Sequence, residues 1–300
     1  MEWNRLEKIW DVLKSPRNIS SENIGYLFHY TYEDKKEKIV GQDKVVFQLS
    51  RVDEFLDKNE GFQVLEPFYH ACGSLYENGI VDEAFYKILV SIKQEDLLNS
   101  FSGAWVLCFS KNGNSTFMKR RYAAGNGWIL GLRFNVLDDI CTEFPEEYGT
   151  ITLYEIEYSF SKMLRVMKNT IARYYKLYNQ EPMEDSWCKR MIAQWLGEYS
   201  LIYKSTDYKL EEEIRLVCKF STDFSDWKSE EYGVQFKSSV SGCCANLKMI
   251  LDKKRLIYAS QKLDIYFDTK LNKTILTGNE ICAVVKQYDS YTSKLKNGSV

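Results

Sequence analysis

Short strand-like stretches are dispersed among stretches with helical spacing along the whole of this 300-residue chain. Residues 104–109, for example, form a continuous apolar run between Gly103 and Lys111, which is typical of a buried strand. The two kinds of stretch do not follow one another in the steady strand–helix alternation of a doubly wound parallel sheet. The pattern therefore predicts an α+β fold.

The same periodicities predict the individual elements. We expect a short helix between Ser115 and Gly125, with Asn114 or Ser115 as its cap. Longer helices are expected over residues 3–13, 32–40, 65–98 with a break at Asn78-Gly79, 160–178, 185–203, 241–261 and 279–287. Strands are expected over residues 24–30, 44–49, 104–109, 128–134, 151–158, 214–220 and 263–267.

The low proline content bears on the domain organisation, because only four of the 300 residues are proline. Few prolines argue against an extended linker, and we find no internal repeat or low-complexity tract. We therefore expect a single domain over residues 1–300, with an N-terminal helix within 1–20 and a core over about 24–270. Helical insertions are expected at 65–98 and 160–203, and a C-terminal helix with a frayed tail over 279–300.

Composition excludes several classes of protein. Hydrophobic residues make up 45% of the chain and charged residues 27%, which excludes global disorder. With a net charge of −2 we do not expect binding to a nucleic-acid backbone through bulk charge, although a local basic patch could still bind. No run of about 18 apolar residues could span a membrane, and residues 1–5 lack the pattern of a signal peptide. We expect a cytoplasmic protein without a membrane-spanning segment.

The eight cysteines are scattered, and most lie in apolar runs, where a free thiol packs as a small hydrophobic group. The chain has no Cys-x-x-Cys and only two histidines, so we expect no metal site. The adjacent Cys243 and Cys244 leave a redox pair open as an alternative to a plain Gly-rich turn. The chain has neither a Rossmann-type Gly-x-Gly-x-x-Gly nor a P-loop Gly-x-x-x-x-Gly-Lys, so we set both binding modes aside.

Two short segments carry residues of the kinds used in ligand binding. In the first, His29 lies near the end of a predicted strand, where it is either a packed structural residue or a functional one. The second is the predicted helix that carries Lys119, Arg120 and Arg121. Its cations either lie in water or bind phosphate groups, and both interpretations stay open.

A third segment follows Tyr208 and contains Glu211, Glu213 and Arg215. If a strand begins there, the three side chains project from one face, with successive members about 6.5–7 Å apart. Two carboxylates on one face repel each other unless a cation or a ligand lies between them. Arg215 could be that cation, so a structural charge ladder and a ligand site both stay open.

Together these segments resemble the bacterial family called domain of unknown function 2971, over about residues 24–220. The shared order is an aromatic strand ending in His-Tyr-Thr, then Ser-Arg-x-x-x-Phe, a Cys-Phe-Ser strand followed by Met and Tyr-Ala, and Lys-x-x-x-Tyr-x-x-Glu-x-Glu-x-Arg. The matched positions are His29, Tyr30, Thr31, Ser50, Phe55, Asp57, Glu60, Ser110, Met118, Tyr122, Ala123, Gly131, Lys204, Glu211, Glu213 and Arg215. The chain departs from the pattern at Leu56-Asp57-Lys58, where the family has Asn-Asp-Pro, and at Lys119 and Tyr208, where it has Trp.

That family in turn is similar to the ADP-ribosyltransferase superfamily, in which a His-Tyr-Glu triad binds and cleaves NAD. The resemblance implies a split mixed β-sheet core with flanking helices and a helical insertion. By position it implies that His29 holds the adenosine-side ribose and that Thr31 helps to seat the nicotinamide ribose. It also implies that Tyr122 stacks on the nicotinamide ring, that Glu213 is the catalytic carboxylate and that Glu211 orients a nucleophile.

The resemblance also implies the rest of the site. The residues expected to contact NAD are His29, Tyr30, Thr31, Ser110, Tyr122 and Arg215. The residues that would face the pyrophosphate or an acceptor nucleic acid are Lys119, Arg120 and Arg121. Because breaking the nicotinamide–ribose bond develops positive charge on the sugar, a fixed carboxylate would stabilise that charge.

The function implied is that of an NAD-consuming enzyme, an ADP-ribosyltransferase or NAD glycohydrolase. Such an enzyme would act as a toxin or phage-defence effector on nucleic acid or protein. Two alternatives stay open. One is a module that binds NAD, ADP-ribose or nucleic-acid ends without chemistry, and the other is a pure protein-interaction protein.

Overall fold

The computed structural model describes residues 3–16, 19, 24–39, 44–52, 59–101, 103–124, 127–180, 183–221, 226–229, 234–241, 244–252 and 266–267. The chain divides into two compact units. Unit 1 consists of Met1–Ile19, Ser50–Val106 and Tyr154–Lys209. Unit 2 consists of Ser20–Leu49, Leu107–Leu153 and Leu210–Val300. The expectation of a single domain stays a prediction.

The elements follow one another in the mixed order that the sequence predicts. The described helices are α1 (Trp3–Val12), α2 (Lys36–Ile39), α3 (Leu65–Glu77), α4 (Glu83–Val90), α5 (Gln94–Phe101), α6 (Thr116–Tyr122), α7 (Phe134–Glu143), α8 (Phe160–Gln180) and α9 (Asp185–Ser200). The described strands are β1 (Tyr26–Thr31), β2 (Lys44–Arg51), β3 (Ala104–Ser110), β4 (Trp128–Arg133), β5 (Gly149–Glu155), β6 (Glu213–Phe220), β7 (Asp226–Ser229), β8 (Val234–Ser241), β9 (Cys244–Asp252) and β10 (Tyr266–Phe267). Short 3-10 helices cover Glu33–Lys35, Glu146–Tyr148 and Thr206–Glu211.

Unit 1 is built mainly of helices. Helix α3 packs against α4 and α8, and α5 packs against α9. The apolar stripe of α9 is buried at Met191, Ile192, Trp195 and Leu196, which confirms that this stripe is core. The helical segments predicted at 65–98 and 160–203 both lie in this unit.

Most of the sheet lies in unit 2. The strand order is β10-β4-β1-β3-β2-β9-β8-β7, with β6 paired to β3 and β5 paired to β6. Strand β1 runs antiparallel to both β3 and β4, and β9 runs antiparallel to both β2 and β8. A sheet of mostly antiparallel strands combined with helices confirms the predicted α+β class. None of the helices that the structure describes contains a stretch long and apolar enough to cross a membrane.

The predicted helix over residues 241–261 is wrong in its described part, because residues 244–252 form strand β9. The buried Leu247, Met249 and Leu251 flank the exposed Lys248 and the half-buried Ile250. Burial of every second side chain is typical of a strand with one covered face, and pairing with β2 and β8 stabilises it. Residues 253–261 lie outside the described residues.

One described α-helix and two described strands are absent from the prediction. Helix α7 buries Phe134, Leu137 and Ile140 at helical spacing, although the sequence analysis ends a strand at Phe134. Strands β7 and β8 form an antiparallel pair within a segment for which no element is predicted. The predicted helix over 279–287, the frayed tail and Cys243 lie outside the described residues, as do residues 263–265 of the last predicted strand.

Candidate functional site

Tyr30 of β1 packs on the face of the strand that α6 covers. The buried cluster there consists of Tyr30, Met118, Ala123 and Ile129, with Phe28, Phe117 and Tyr122 packed against it. The Tyr30 hydroxyl accepts a hydrogen bond from the Ser115 N–H at 3.2 Å and donates one to the Asn112 carbonyl at 2.5 Å. Tyr30 is therefore a buried anchor for the loop that leads from β3 into α6.

His29, the preceding residue, lies on the other face of β1. Its ring centroid is 5.4 Å from that of Phe47 and 6.1 Å from that of Phe109. Because successive side chains of a strand point to opposite faces, His29 and Tyr122 lie on opposite sides of β1. Thr31, which is buried, shares the His29 face by the same alternation.

The imidazole of His29 is held in one neutral form. Its Nδ1 lies 3.0 Å from the carbonyl oxygen of Cys108, and since a carbonyl only accepts, Nδ1 carries the proton and donates. Burial lowers the pKa of His29, and the hydrogen bond to Cys108 offsets part of that effect. The structure therefore gives His29 a packed setting, with its proton fixed on Nδ1.

Helix α6 begins after Ser115, whose Oγ accepts a hydrogen bond from the Met118 N–H at 3.2 Å. This confirms Ser115 as the predicted cap. The guanidinium of Arg121 lies 5.8 Å from the centre of the Phe117 ring and 5.6 Å from that of the Tyr122 ring. Both distances are within the range of cation–π attraction.

The other two cations of α6 have different settings. Lys119 donates from Nζ to Asn114 Oδ1 at 2.8 Å, and Arg120 is exposed. The three cations predicted to face a phosphate group are thus not equivalent. Arg121 lies against the rings of Phe117 and Tyr122.

Tyr122 and Glu211 are in direct contact. The Tyr122 hydroxyl donates a hydrogen bond of 2.6 Å to Glu211 Oε1, and Arg121 Nε lies 3.9 Å from the same oxygen. Glu211 is 2% exposed, whereas the Arg121 side chain is 44% exposed. We call Arg121, Tyr122 and Glu211 the Tyr122 cluster. It places an aromatic ring, a cation and a carboxylate within one group of contacts.

Glu211, Glu213 and Arg215 do not project from one face of a strand, as the sequence analysis considers, because the backbone turns between the two glutamates. Strand β6 begins at Glu213, while Glu211 ends the 3-10 helix Thr206–Glu211. Glu212, between them, has a φ of +45°, a left-handed conformation that does not continue a strand. The alternation of a strand therefore does not extend to Glu211, and the two carboxylates have different partners.

Glu213 and Arg215 form a buried ion pair. Arg215 donates from Nε to Glu213 Oε1 at 2.7 Å and from a terminal nitrogen to Glu213 Oε2 at 3.3 Å. Two hydrogen bonds to a carboxylate give this pair the fork geometry that guanidinium favours. Arg215 is thus the cation that shares space with Glu213, as the sequence analysis left open.

The loop between β3 and α6 contains a residue that the sequence analysis missed. Asn112 donates from Nδ2 to Glu212 Oε1 at 3.1 Å and accepts from the Asn114 N–H at 2.9 Å. Its own N–H donates to Oγ of the buried Ser110 at 3.1 Å. The Asn-Gly-Asn sequence at 112–114 signals a turn, but it does not reveal a contact with a residue 100 positions away.

The structure thus brings some of the predicted site residues together and separates others. Tyr122 contacts Glu211, and Glu213 contacts Arg215. His29 lies across β1 from Tyr122. The two side chains therefore do not line a common site on one face of the strand. Two further residues that match the family pattern, Lys204 and Glu60, form an ion pair in unit 1, with 3.0 Å between Lys204 Nζ and Glu60 Oε1.

Two surface grooves are lined by described residues. The grooves, of about 650 and 660 Å³, lie in unit 1 and are lined by no residue of the predicted site. Among the residues that the structure describes, no group of three or more His, Cys, Asp or Glu side chains could hold a metal ion.

Comparison with family models, with curated proteins and with solved structures finds no match to this chain. The resemblance read from the sequence motifs therefore rests on those motifs alone.

Proposed function

We propose that unit 2 binds NAD at the Tyr122 cluster and breaks the bond between nicotinamide and ribose, as an ADP-ribosyltransferase-like enzyme. The observation that carries this proposal is the hydrogen bond from Tyr122 to Glu211. It joins two side chains that the resemblance assigns to one active site. Since they are 89 positions apart, no local geometry of the chain requires the contact.

The three groups of the cluster match three of the parts of NAD, namely nicotinamide, pyrophosphate and a ribose. The Tyr122 ring offers a face on which the planar nicotinamide can stack. Arg121, with its guanidinium partly exposed, can form charge-assisted hydrogen bonds with the pyrophosphate. The Glu211 carboxylate can accept hydrogen bonds from ribose hydroxyls.

Glu211, rather than Glu213, meets the ribose in this proposal. Both oxygens of Glu213 accept hydrogen bonds from Arg215, and Arg215 is itself fully buried. Glu211 instead accepts a hydrogen bond from Tyr122, and the proposal requires the Tyr122 side chain to turn outward when a ligand enters. The ring would then stack on nicotinamide and the carboxylate would face the sugar.

The proposed reaction breaks the bond between ribose C1′ and the nicotinamide nitrogen. The bonding electron pair leaves with neutral nicotinamide, and positive charge develops on the ribose. The Glu211 carboxylate stabilises that charge as it forms. A nucleophile, either water or a group of an acceptor nucleic acid or protein, then bonds to C1′ and loses a proton.

His29 and Thr31 contact no ligand in this proposal, because they lie on the opposite face of β1 from Tyr122. Tyr30 and Ser110 act on the site through the loop that carries Asn112. Lys119 and Arg120 remain candidates for contact with an acceptor nucleic acid.

A second candidate, binding of NAD or ADP-ribose without chemistry, is favoured by one observation. Glu211 is 2% exposed and Glu213 is engaged by Arg215, so both carboxylates have partners in the unliganded chain. If Glu211 keeps its bond to Tyr122 when ligand binds, neither Glu211 nor Glu213 is left to stabilise the reaction.

Chromatographic measurement of nicotinamide release from NAD tests the proposal. The wild-type chain should release nicotinamide, Glu211→Gln should lower the rate by about 100-fold, equivalent to roughly 2.7 kcal/mol, and Glu147→Gln, an exposed glutamate of the same unit, should match the wild type. Calorimetry with NAD and ADP-ribose separates the two candidates. Binding without any release favours the second, and neither binding nor release rejects both.

A further inference from the structure

Glu212 lies between Glu211 and Glu213 in the chain and has an unusual backbone conformation. Its φ of +45° is one of two positive φ values among the described non-glycine residues. For a residue with a side chain the left-handed region costs about 1–2 kcal/mol, so surrounding contacts must hold Glu212 there.

Two contacts from one loop hold it. The Lys111 N–H donates to the Glu212 carbonyl at 2.9 Å, and Asn112 Nδ2 donates to Glu212 Oε1 at 3.1 Å. One bond fixes the main chain of Glu212 and the other fixes its side chain. Both come from the residues that directly follow β3.

Asn112 is itself oriented by its neighbours. Its Oδ1 accepts from the Asn114 N–H, and its main-chain carbonyl accepts from the Tyr30 hydroxyl. With Oδ1 engaged by a donor, the side-chain amide must direct its NH₂ group at Glu212. Asn112 is thus a fixed donor, tied both to β1 and to the start of α6.

The consequence concerns the direction of Glu211. A continuous strand would place Glu211 and Glu213 on the same face, but the left-handed residue between them turns the chain. Glu211 therefore reaches Tyr122, and Glu213 reaches Arg215.

We infer that Asn112 is a positioning residue, which directs the Glu211 carboxylate to Tyr122 by holding Glu212 in its left-handed conformation. Its importance for catalysis rests on the proposed function. Its effect on Glu211 does not, because that effect can be measured without substrate.

The test exchanges the donor and the acceptor. Asn112→Asp keeps the size and the bond from Asn114, but it places two carboxylates against each other. The double variant Asn112→Asp with Glu212→Gln restores a hydrogen bond of reversed polarity. Glu212→Ala, which removes the contact and leaves Asn112 intact, serves if Asn112→Asp does not fold.

Two measurements test the inference without requiring enzymatic activity. The first is the carbon-13 carboxyl resonance of Glu211, identified by its loss in Glu211→Gln. Asn112→Asp, or Glu212→Ala in its place, should move it in the same direction as Tyr122→Phe does, and the double variant should return it. The second is amide exchange at Lys111, which should accelerate about tenfold in Asn112→Asp and recover in the double variant.

If nicotinamide release is measurable, Asn112→Asp should lower kcat about tenfold with KM for NAD changed less than threefold, and the double variant should recover kcat. A Glu211 resonance unmoved by loss of the Asn112–Glu212 bond overturns the inference. A wild-type chain that releases no nicotinamide, but whose Glu211 resonance responds as expected, rejects the proposed function and supports the positioning role.

Discussion

Arg215 donates to both oxygens of Glu213, at 2.7 and 3.3 Å, in an ion pair whose two side chains are 0% and 4% exposed. Charges this deeply buried are tolerated because each neutralises the other. The pair occupies the position that the resemblance gives to a catalytic carboxylate. This geometry gives Glu213 a structural role, which leads to a prediction about stability.

We expect Glu213→Gln to lower the free energy of unfolding by about 3 kcal/mol, because it removes the negative charge that pairs with the buried Arg215 guanidinium. Urea unfolding at pH 7 measures this change, and Glu147→Gln should shift stability by less than about 0.5 kcal/mol. A Glu213→Gln variant as stable as the wild type would show that the pair contributes nothing to the fold.

The acid sensitivity of the fold should depend on His29. In the unfolded chain the imidazole binds a proton near pH 6.5, whereas in the fold it does so at a lower pH because burial lowers its pKa. Between these two values the unfolded chain binds more protons, so the free energy of unfolding decreases as pH falls below 6.5. Each pH unit in that range costs about 1.4 kcal/mol.

Urea unfolding from pH 7.5 to pH 5 tests this, with His29→Asn as the variant that cannot titrate. Its loss of stability below pH 6.5 should be shallower than that of the wild type. His70→Asn, a change at the exposed second histidine, is the matched control. Parallel profiles for wild type and His29→Asn would contradict the prediction.

Buried cysteines of the described chain should resist alkylation. Cys72, Cys188 and Cys218 are free and buried, and burial raises the pKa of each, that of Cys188 to about 12. Since the thiolate is the reactive form, peptide mass spectrometry after iodoacetamide treatment at pH 8 should find these three unmodified. The same treatment in urea should modify all three, and rapid labelling of Cys218 in the native chain would be inconsistent with its burial.

The ring and the hydroxyl of Tyr122 should have separable effects on NAD binding. Tyr122→Phe keeps the stacking face and removes the bond to Glu211, so the dissociation constant should change less than about threefold. Tyr122→Ala removes the ring, and a loss of about 1 kcal/mol or more would weaken binding at least fivefold. Calorimetry on both variants checks this; equal affinities for Tyr122→Ala and wild type would remove the ring from the site.

Much of the fold could be predicted from local patterns in the sequence. The apolar run before Lys111 predicts β3, and Ser115 predicts the start of α6, because burial and capping depend on neighbouring residues. Strand β9 was missed because the apolar residues of 244–252 also suit a helix, and the choice between the two depends on pairing with β2 and β8.

Part of the candidate site could be predicted from the sequence. Tyr122 and Glu211 were predicted to share a site through the resemblance, and their contact spans 89 positions. His29 and Tyr122 are separated because their side chains lie on opposite faces of β1. Which face Tyr122 occupies depends on how α6 packs against the strand. Asn112 could not be found, because its link to Glu212 exists only when the end of β3 and the start of β6 meet.

A crystal structure of Glu211→Gln soaked with NAD tests the central claim most directly, since this variant is expected to bind NAD without cleaving it rapidly. The account predicts the nicotinamide ring stacked on Tyr122, with ring centroids within about 5 Å, and the pyrophosphate in contact with Arg121. NAD bound away from Tyr122 and Arg121, or no NAD bound at millimolar concentration, would contradict the account.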